Sequence, residues 1–515
     1  MRDPAPWQKR YEKMLILALL FGLVSQYLFV GASAGISVMV FVLGFYGLFF
    51  YSIKGRMGGF EKWQGQASSG WLLFIPIFLL TLTYAIYNNQ LFRQLNLFAL
   101  FALIVSQTVL MTSSSVKPWY RGVFYTELLF LALIKPFAFI GVPFSLLNER
   151  WKGKEVGERG TRSKLGRISL GLALSAPILI VVVALLASAD EIFLSWLLEI
   201  PNVMGRFSLG NGLWRIIVAL FFAFYAFCYI WGLLFNKAVP AANKAAEVST
   251  PGTVQSYGRI EFDPITAGTL LISINLVYVL FVAIQFSYLF GAAKGLLPDG
   301  AAYAEYARRG FAELIMVALI NVVLLMCGLH LIRRTSAMAE RIRKLSLTVL
   351  IGCTIIMLVS AYSRLSLYEE AYGYTQTRLL VHGFMLYLGV LLVIAMIRIW
   401  KERFSMGKAY ICVSIIAFVL INYVNLDARI AANNGERYER TRKIDVAYLG
   451  TLSTDAMPAL RKLQADHPKL AGLQEVIDQL QEKAHRHTKW QSWNLSKQRA
   501  LGSFDPPHES DYSRG

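Results

Sequence analysis

The stretch RLSLYEEAYGYTQTRLLVHGF, Arg364 to Phe384, sets two arginines, two glutamates and a histidine between runs of Leu, Ile, Val and Met. Two kinds of chemistry use such groups. A carboxylate held at a membrane surface can move protons as a general acid or base. Two guanidinium groups on one short connection can grip a carboxylate or phosphate through paired N–H donors. Glu369 and Glu370 are acid/base candidates, together with Asp190 in SADEIF. Arg364 and Arg378 are the anion-binding candidates, joined by a tether of thirteen residues that keeps them close. His382 follows Arg378 one turn later on the same helical face.

Other polar residues join this set by position. In AYAEYARRGFAELI, Glu305, Arg309 and Glu313 are spaced by four, so they stack along one helix face as alternating charges. Glu191 follows Asp190 at the end of an apolar run, and Gln285 lies near the end of another. Acids and amides below the membrane interface are expensive without partners, so the set reads as a polar pocket at the outer face. The plainer alternative is a ring of interfacial charges with tyrosines in an aromatic belt.

Metal, nucleotide and redox chemistry have no signature in the chain. There is no GxxxxGK[ST], no GxGxxG after a strand, no HExxH and no paired Cys/His set. His485 and His487 lie in a charged helical stretch and read as solvated. Cys228, Cys327, Cys353 and Cys412 fall inside apolar runs and read as small buried hydrophobes. No metal and no cofactor are expected.

The elements that position these groups follow from composition. Of 515 residues, 56% are apolar and only 16% charged, with a mean hydropathy of +0.48. The apolar residues are gathered near 14–30, 35–52, 71–87, 95–112, 168–188, 213–235, 266–290, 311–332, 345–361, 379–399 and 409–426. Each run can cross about 30 Å of hydrocarbon as a helix. The expected fold class is an all-α polytopic transmembrane bundle of eleven crossings. Met1 to Ala34 has the outline of a signal peptide, but a second apolar run starts at Gly35, so it reads as an uncleaved first helix.

The net charge of +19 sits mainly in alternate short connections, as in RWKGKEVGERGTRSKLGR. That is positive-inside patterning and not a nucleic-acid surface. Tyr120–Leu147 is apolar but carries Glu127, Lys135, Pro136 and Pro143. If it crossed, every later basic loop would move outside, so it is expected to be interfacial or re-entrant. This places the N-terminus in the cytoplasm and the C-terminus outside.

The resulting division is 1–147, an N-terminal membrane segment with four crossings and the interfacial piece; 148–167, a basic cytoplasmic loop; and 168–426, the main bundle with seven crossings. Residues 427–502 form a small helical extracytoplasmic tail, and 503–515 a disordered end. The expected partners are the lipid bilayer and an anionic lipid or small molecule at the outer face, with no nucleic acid.

SADEIF, EFDPITAGTLL, YARRGFAELI, YSRLSLYEEAYGYTQTRL, NLDARIAANNGERYERTRKIDVAYLGTLSTDAMPAL and WNLSKQRA resemble the bacterial membrane family called domain of unknown function 4173, from about Leu170 to Gly502. The resemblance implies a multi-pass bacterial cell-membrane protein and supplies no activity, substrate or catalytic residue. Two functional readings remain open. One is a protein that binds, senses or moves a ligand at the outer face. The other is a membrane-embedded enzyme acting on a lipid-linked or envelope substrate.

Overall fold

The computed structural model describes residues 6–54, 66–151, 208–235, 263–291, 311–331, 336–485 and 489–502. The expected crossing at 168–188, Asp190, Glu191, Glu305, Arg309, His487 and the end at 503–515 lie outside the described residues. Among the described residues every regular element is helical. Ten helical stretches of the described residues are long and apolar enough to cross a membrane, and Glu313–Leu329 is a shorter apolar one. The chain is a multi-pass membrane protein of the all-α class. By contacts it divides into two units, Met1–Glu247 with Lys483–Gly515, and Val248–Glu482. Residues of the tail therefore belong to both.

In the first unit, α1 (Pro6–Phe29), α2 (Ile36–Ile53), α3 (Gln66–Leu72), α4 (Phe74–Ile86) and α5 (Gln90–Met111) precede a broken stretch. That stretch is α6 (Gly122–Leu129), a π turn at Phe130–Ile134, α7 (Lys135–Ala138) and α8 (Gly141–Trp151), and it is followed by α9 (Ser208–Leu234). Helices α1 and α9 run antiparallel, with Tyr11 edge-on to Trp231 at 4.9 Å. Their backbones approach closely at Gly22, where a Cβ would collide with the Ala219 carbonyl. Between membrane helices such close packing takes the place of a hydrophobic driving force.

Polar side chains clasp the same helices. Gln107, fully buried, accepts from the Tyr46 hydroxyl and donates to Gly70 O at 3.1 Å. Thr108 and Tyr229 share a hydrogen bond of 2.6 Å, and Asn96 donates to Thr83 Oγ1 at 3.0 Å.

Gly122–Leu146 is long and apolar enough to cross, and it packs along the last turns of α9, where Tyr225 donates to Ala132 O at 3.2 Å. Ser114 donates to Leu233 O at 3.3 Å, and Ser115 to Glu127 at 2.8 Å. Twenty-five positions after Ser114, Phe139 lies against Gly232, one residue before Leu233. The chain turns at Phe139–Ile140, and α8 runs back along α9, with Phe144 stacked on Phe224.

The second unit contains α10 (Pro264–Gly291), α11 (Phe311–His330), α12 (Ala337–Tyr372), α13 (Gln376–Trp400) and α14 (Met406–Tyr423). Leu314, Ala318, Leu347, Leu350, Leu365, Met385 and Leu392 form its apolar core. Asn321 joins three helices, accepting from Tyr278 at 2.7 Å and donating to Thr354 at 2.9 Å. Then come α15 (Leu426–Thr441), α16 (Val446–Leu449), α17 (Met457–Asp466) and α18 (Leu473–His485). The last helix of the chain, α19 (Leu495–Gly502), packs in the first unit.

Candidate functional site

Helix α12 has 36 residues, about 54 Å at 1.5 Å per residue, so it outruns the hydrocarbon and carries its last turns beyond it. Leu, Glu and Ala in LYEEAY are good helix formers and continue the apolar run. Gly373 ends it: at φ 91 its N–H donates to Glu369 O at 2.7 Å, a backbone conformation that glycine supplies without strain. The expected thirteen-residue tether is thereby corrected. Glu369 and Glu370 stand in the last helical turns, and only Gly373, Tyr374 and Thr375 separate α12 from α13.

This short turn is held from α15. Asn434 donates to Tyr374 O at 2.9 Å and accepts from Tyr374 N at 3.0 Å, imitating a strand partner. Buried Arg437 donates from Nε to Glu370 O at 2.7 Å, from Nη2 to Ala371 O at 2.5 Å and from Nη1 to Lys443 O at 2.9 Å. Burial, and then the charge of Arg378, lower the Arg437 pKa from its usual range. Asp427 accepts from Gln376 Nε2 at 2.8 Å and from Ser453 N at 3.1 Å. The Tyr448 hydroxyl accepts from Gln376 N at 2.9 Å, and burial pushes its phenol up.

The predicted acids separate on this frame. Glu369 is buried, and its Oε2 lies 3.3 Å from His382 Nδ1. Its other oxygen, Oε1, is buried with no hydrogen-bond partner among the described residues. His382 Nε2 lies 3.3 Å from Ser366 Oγ and 3.3 Å from Tyr362 O, and its ring sits 4.3 Å from the Tyr362 ring. Glu370 is exposed and pairs with Arg440 at 3.3 Å. Arg378 lies over the Tyr368 ring, 4.3 Å from its centroid, and donates to Gly373 O. The two arginines therefore do not share the two acids: Glu369 meets a histidine, and Glu370 an arginine from another helix. Arg364 is half-buried in α12, one to two turns before the pair.

Tyr362, Ser363, Ser366, Leu367, Glu370, Tyr374 and Arg440 line a cleft of about 450 Å³. Burial, followed by the charges of Glu369 and Glu370, pushes the Tyr374 phenol up, against the pull of Arg440. Glu313 is exposed in the first turn of α11, and Gln285 lies near the C-terminal end of α10. Glu313 is not among the described residues lining the cleft, and the Gln285 side chain lies outside the described residues.

Asn434, Arg437 and Arg440 entered the sequence reading only as letters of a longer motif. Their signal was the run AANNGERYER in an amphipathic helix, where buried Asn434 and Arg437 recur at a spacing of three.

No curated protein and no solved structure matches the chain. A family model does, over residues 74–463. It starts well before Leu170 and ends before WNLSKQRA, and its number differs from the family that the motifs resemble, although both have no assigned function. Since the match covers more than half of the chain, the protein belongs to the family Domain of unknown function (DUF4153).

Proposed function

We propose that the protein binds a ligand in the cleft at the Tyr372 end of α12, on the outer face of a bacterial cell membrane. The cleft itself carries this reading: it joins apolar walls from Tyr362, Leu367 and Tyr374 to one cation, Arg440, with its partner Glu370, and to two serine hydroxyls, Ser363 and Ser366. Such a lining suits an amphiphile with an anionic or strongly accepting head. Arg378, whose guanidinium is committed to Tyr368 and Gly373 O, supports the turn, and Arg440 faces the ligand in its place. The outer-face assignment rests on the distribution of Lys and Arg among the connections.

Native mass spectrometry of the purified full-length chain tests the reading. A co-purifying anionic amphiphile is expected on the wild type and should be lost from Arg440→Gln. If Arg440 serves only its pairing with Glu370, the double reversal Glu370→Arg/Arg440→Glu would behave as the wild type. A bare wild-type protein, or equal retention by that double variant, defeats the proposal.

A further inference from the structure

From the cleft outward, a serine, a histidine and a glutamate stand in line. Ser366 lines the cleft, its Oγ 3.3 Å from His382 Nε2, and His382 Nδ1 lies 3.3 Å from Glu369 Oε2. Ser366 and Glu369 are three apart on α12, so one helix face presents both, and His382 reaches them from the second turn of α13. The carboxylate is buried and the serine opens on the cleft, which is the burial order that an oriented nucleophile requires.

The ordinary account of Ser366 is a helix serine bonded to the carbonyl four residues back, and that bond to Tyr362 O is present at 3.0 Å. This account leaves unexplained the buried glutamate behind the histidine ring, whose Nε2 lies 3.3 Å from the same Tyr362 oxygen. In the tautomer that carries its proton on Nδ1, toward Glu369, His382 Nε2 is a second acceptor for the hydroxyl hydrogen beside Tyr362 O, and one bond rotation moves the hydrogen between them. Contacts of 3.3 Å fall slightly outside the working range of a nucleophile–base pair, as free sites often do before substrate tightens them.

We infer that Ser366, His382 and Glu369 form a nucleophilic relay that hydrolyses a carboxylic ester bound in the cleft, a reading that rests on the ligand site proposed above. Ser366 Oγ attacks the carbonyl carbon while its proton passes to His382 Nε2. The carbon–oxygen bond to the alcohol then breaks, and the Nε2 proton goes to the leaving oxygen. Water next attacks the acyl-serine, giving one proton to Nε2. The bond to Oγ breaks, the carboxylic acid leaves, and the proton returns to Ser366. No oxidant or reductant is needed, and water is the only co-reactant. Glu369 acts as a positioning residue that holds the ring through Nδ1. Tyr362, Leu367 and Tyr374 offer the acyl chain an apolar wall.

The probe is an alkyl fluorophosphonate, which loses fluoride to an activated serine and leaves a stable phosphonyl ester. Purified full-length protein in detergent is incubated with it and mapped by mass spectrometry. An adduct on Ser366 is expected in the wild type and none at any serine of Ser366→Ala. His382→Gln should slow labelling by on the order of a hundredfold, the usual contribution of a general base. Glu369→Gln should slow it as well and change its pH profile, while melting temperature stays within a few degrees; a purely structural role would leave the profile unmoved.

A folded wild type that takes no label at Ser366, or a His382→Gln variant labelled at the wild-type rate, overturns the relay. Ligand retention separates the two readings. If Ser366→Ala keeps the co-purifying amphiphile and the wild type is not labelled, the relay falls and binding stands. If Ser366 is labelled but no ligand is retained, the relay stands and tight binding falls.

Discussion

Arg437 shows how one residue can organise a site without touching a ligand. Its guanidinium closes three backbone carbonyls, on Glu370, Ala371 and Lys443, so it ties the end of α12 to the end of α15. A planar fork with donors at fixed angles can do this, and a lysine ammonium cannot. Gly373 belongs to the same joint, since a Cβ there would meet Asn434 Oδ1 at 2.8 Å. Arg437→Lys is expected to loosen the turn by about 2 kcal/mol, the net worth of charged hydrogen bonds lost. Hydrogen exchange should then quicken at residues 370–376 and 434–443, with the core of α12 near Leu350 unchanged. Unaltered exchange at the turn would make Arg437 a spectator. The exposed Glu370–Arg440 pair, by contrast, contributes little stability, as surface ion pairs do.

At the scale of elements, α19 and the residues before it form a latch on the first unit. Trp493 O accepts from Ile36 N at 3.1 Å, Ser492 Oγ from Ser33 N at 2.8 Å, and Asn494 donates to Asn88 Oδ1 at 3.2 Å. Gly35 admits the latch, because a Cβ there would lie 2.6 Å from Trp493 O. Lys497 is buried under it, with Nζ 3.2 Å from Ser33 Oγ. Burial first, and then the charge of Arg93, lower its pKa from 10.5 to about 8.

The sign of the resulting pH dependence is fixed. Between pH 8 and 10.5 the unfolded chain holds more protons on this lysine than the folded one, so stability rises with pH across that window. Below pH 8 both states are charged and the full desolvation cost remains. Lys497→Met, which has no charge to bury, is expected to melt above the wild type at pH 7. The gap should narrow as pH climbs from 8 to 10.5, and a gap that is constant with pH would show that Lys497 is not held as described.

For the whole molecule the decisive property is sidedness. In the first unit, α1 begins beside Trp231 near the end of α9, while the latch at 489–497 sits on the connections that follow α1 and α4. Within that unit, the start of α1 and the C-terminal latch therefore occupy opposite ends of the helices. On the proposed sidedness, which rests on Lys and Arg patterning, the first of these faces the cytoplasm. Cysteines introduced near Glu158, after the native ones are replaced, should resist an impermeant thiol reagent on intact cells. Those near Gln376 and Gly472 should react. The reverse pattern would turn the molecule over and place the cleft inside.

The all-α, multi-pass architecture was determined by the sequence alone, because hydrocarbon forces every backbone group into a helix and the length of an apolar run sets the crossing. That Glu369, Glu370, Arg378 and His382 gather where two apolar helices meet was also legible, because one short stretch between two apolar runs holds all four. Which group meets which was not. A hydropathy run stops at the first charges, whereas the helix goes on for as long as its residues favour it, so α12 carried both glutamates past the expected loop to Gly373. Partner choice then depended on approach through space. Glu370 found Arg440, seventy positions away, because α15 packs against the turn, and Glu369 found His382 because the three-residue turn brings α13 back alongside α12. Spacing along one helix can be counted in letters, but only packing selects the neighbour on the next.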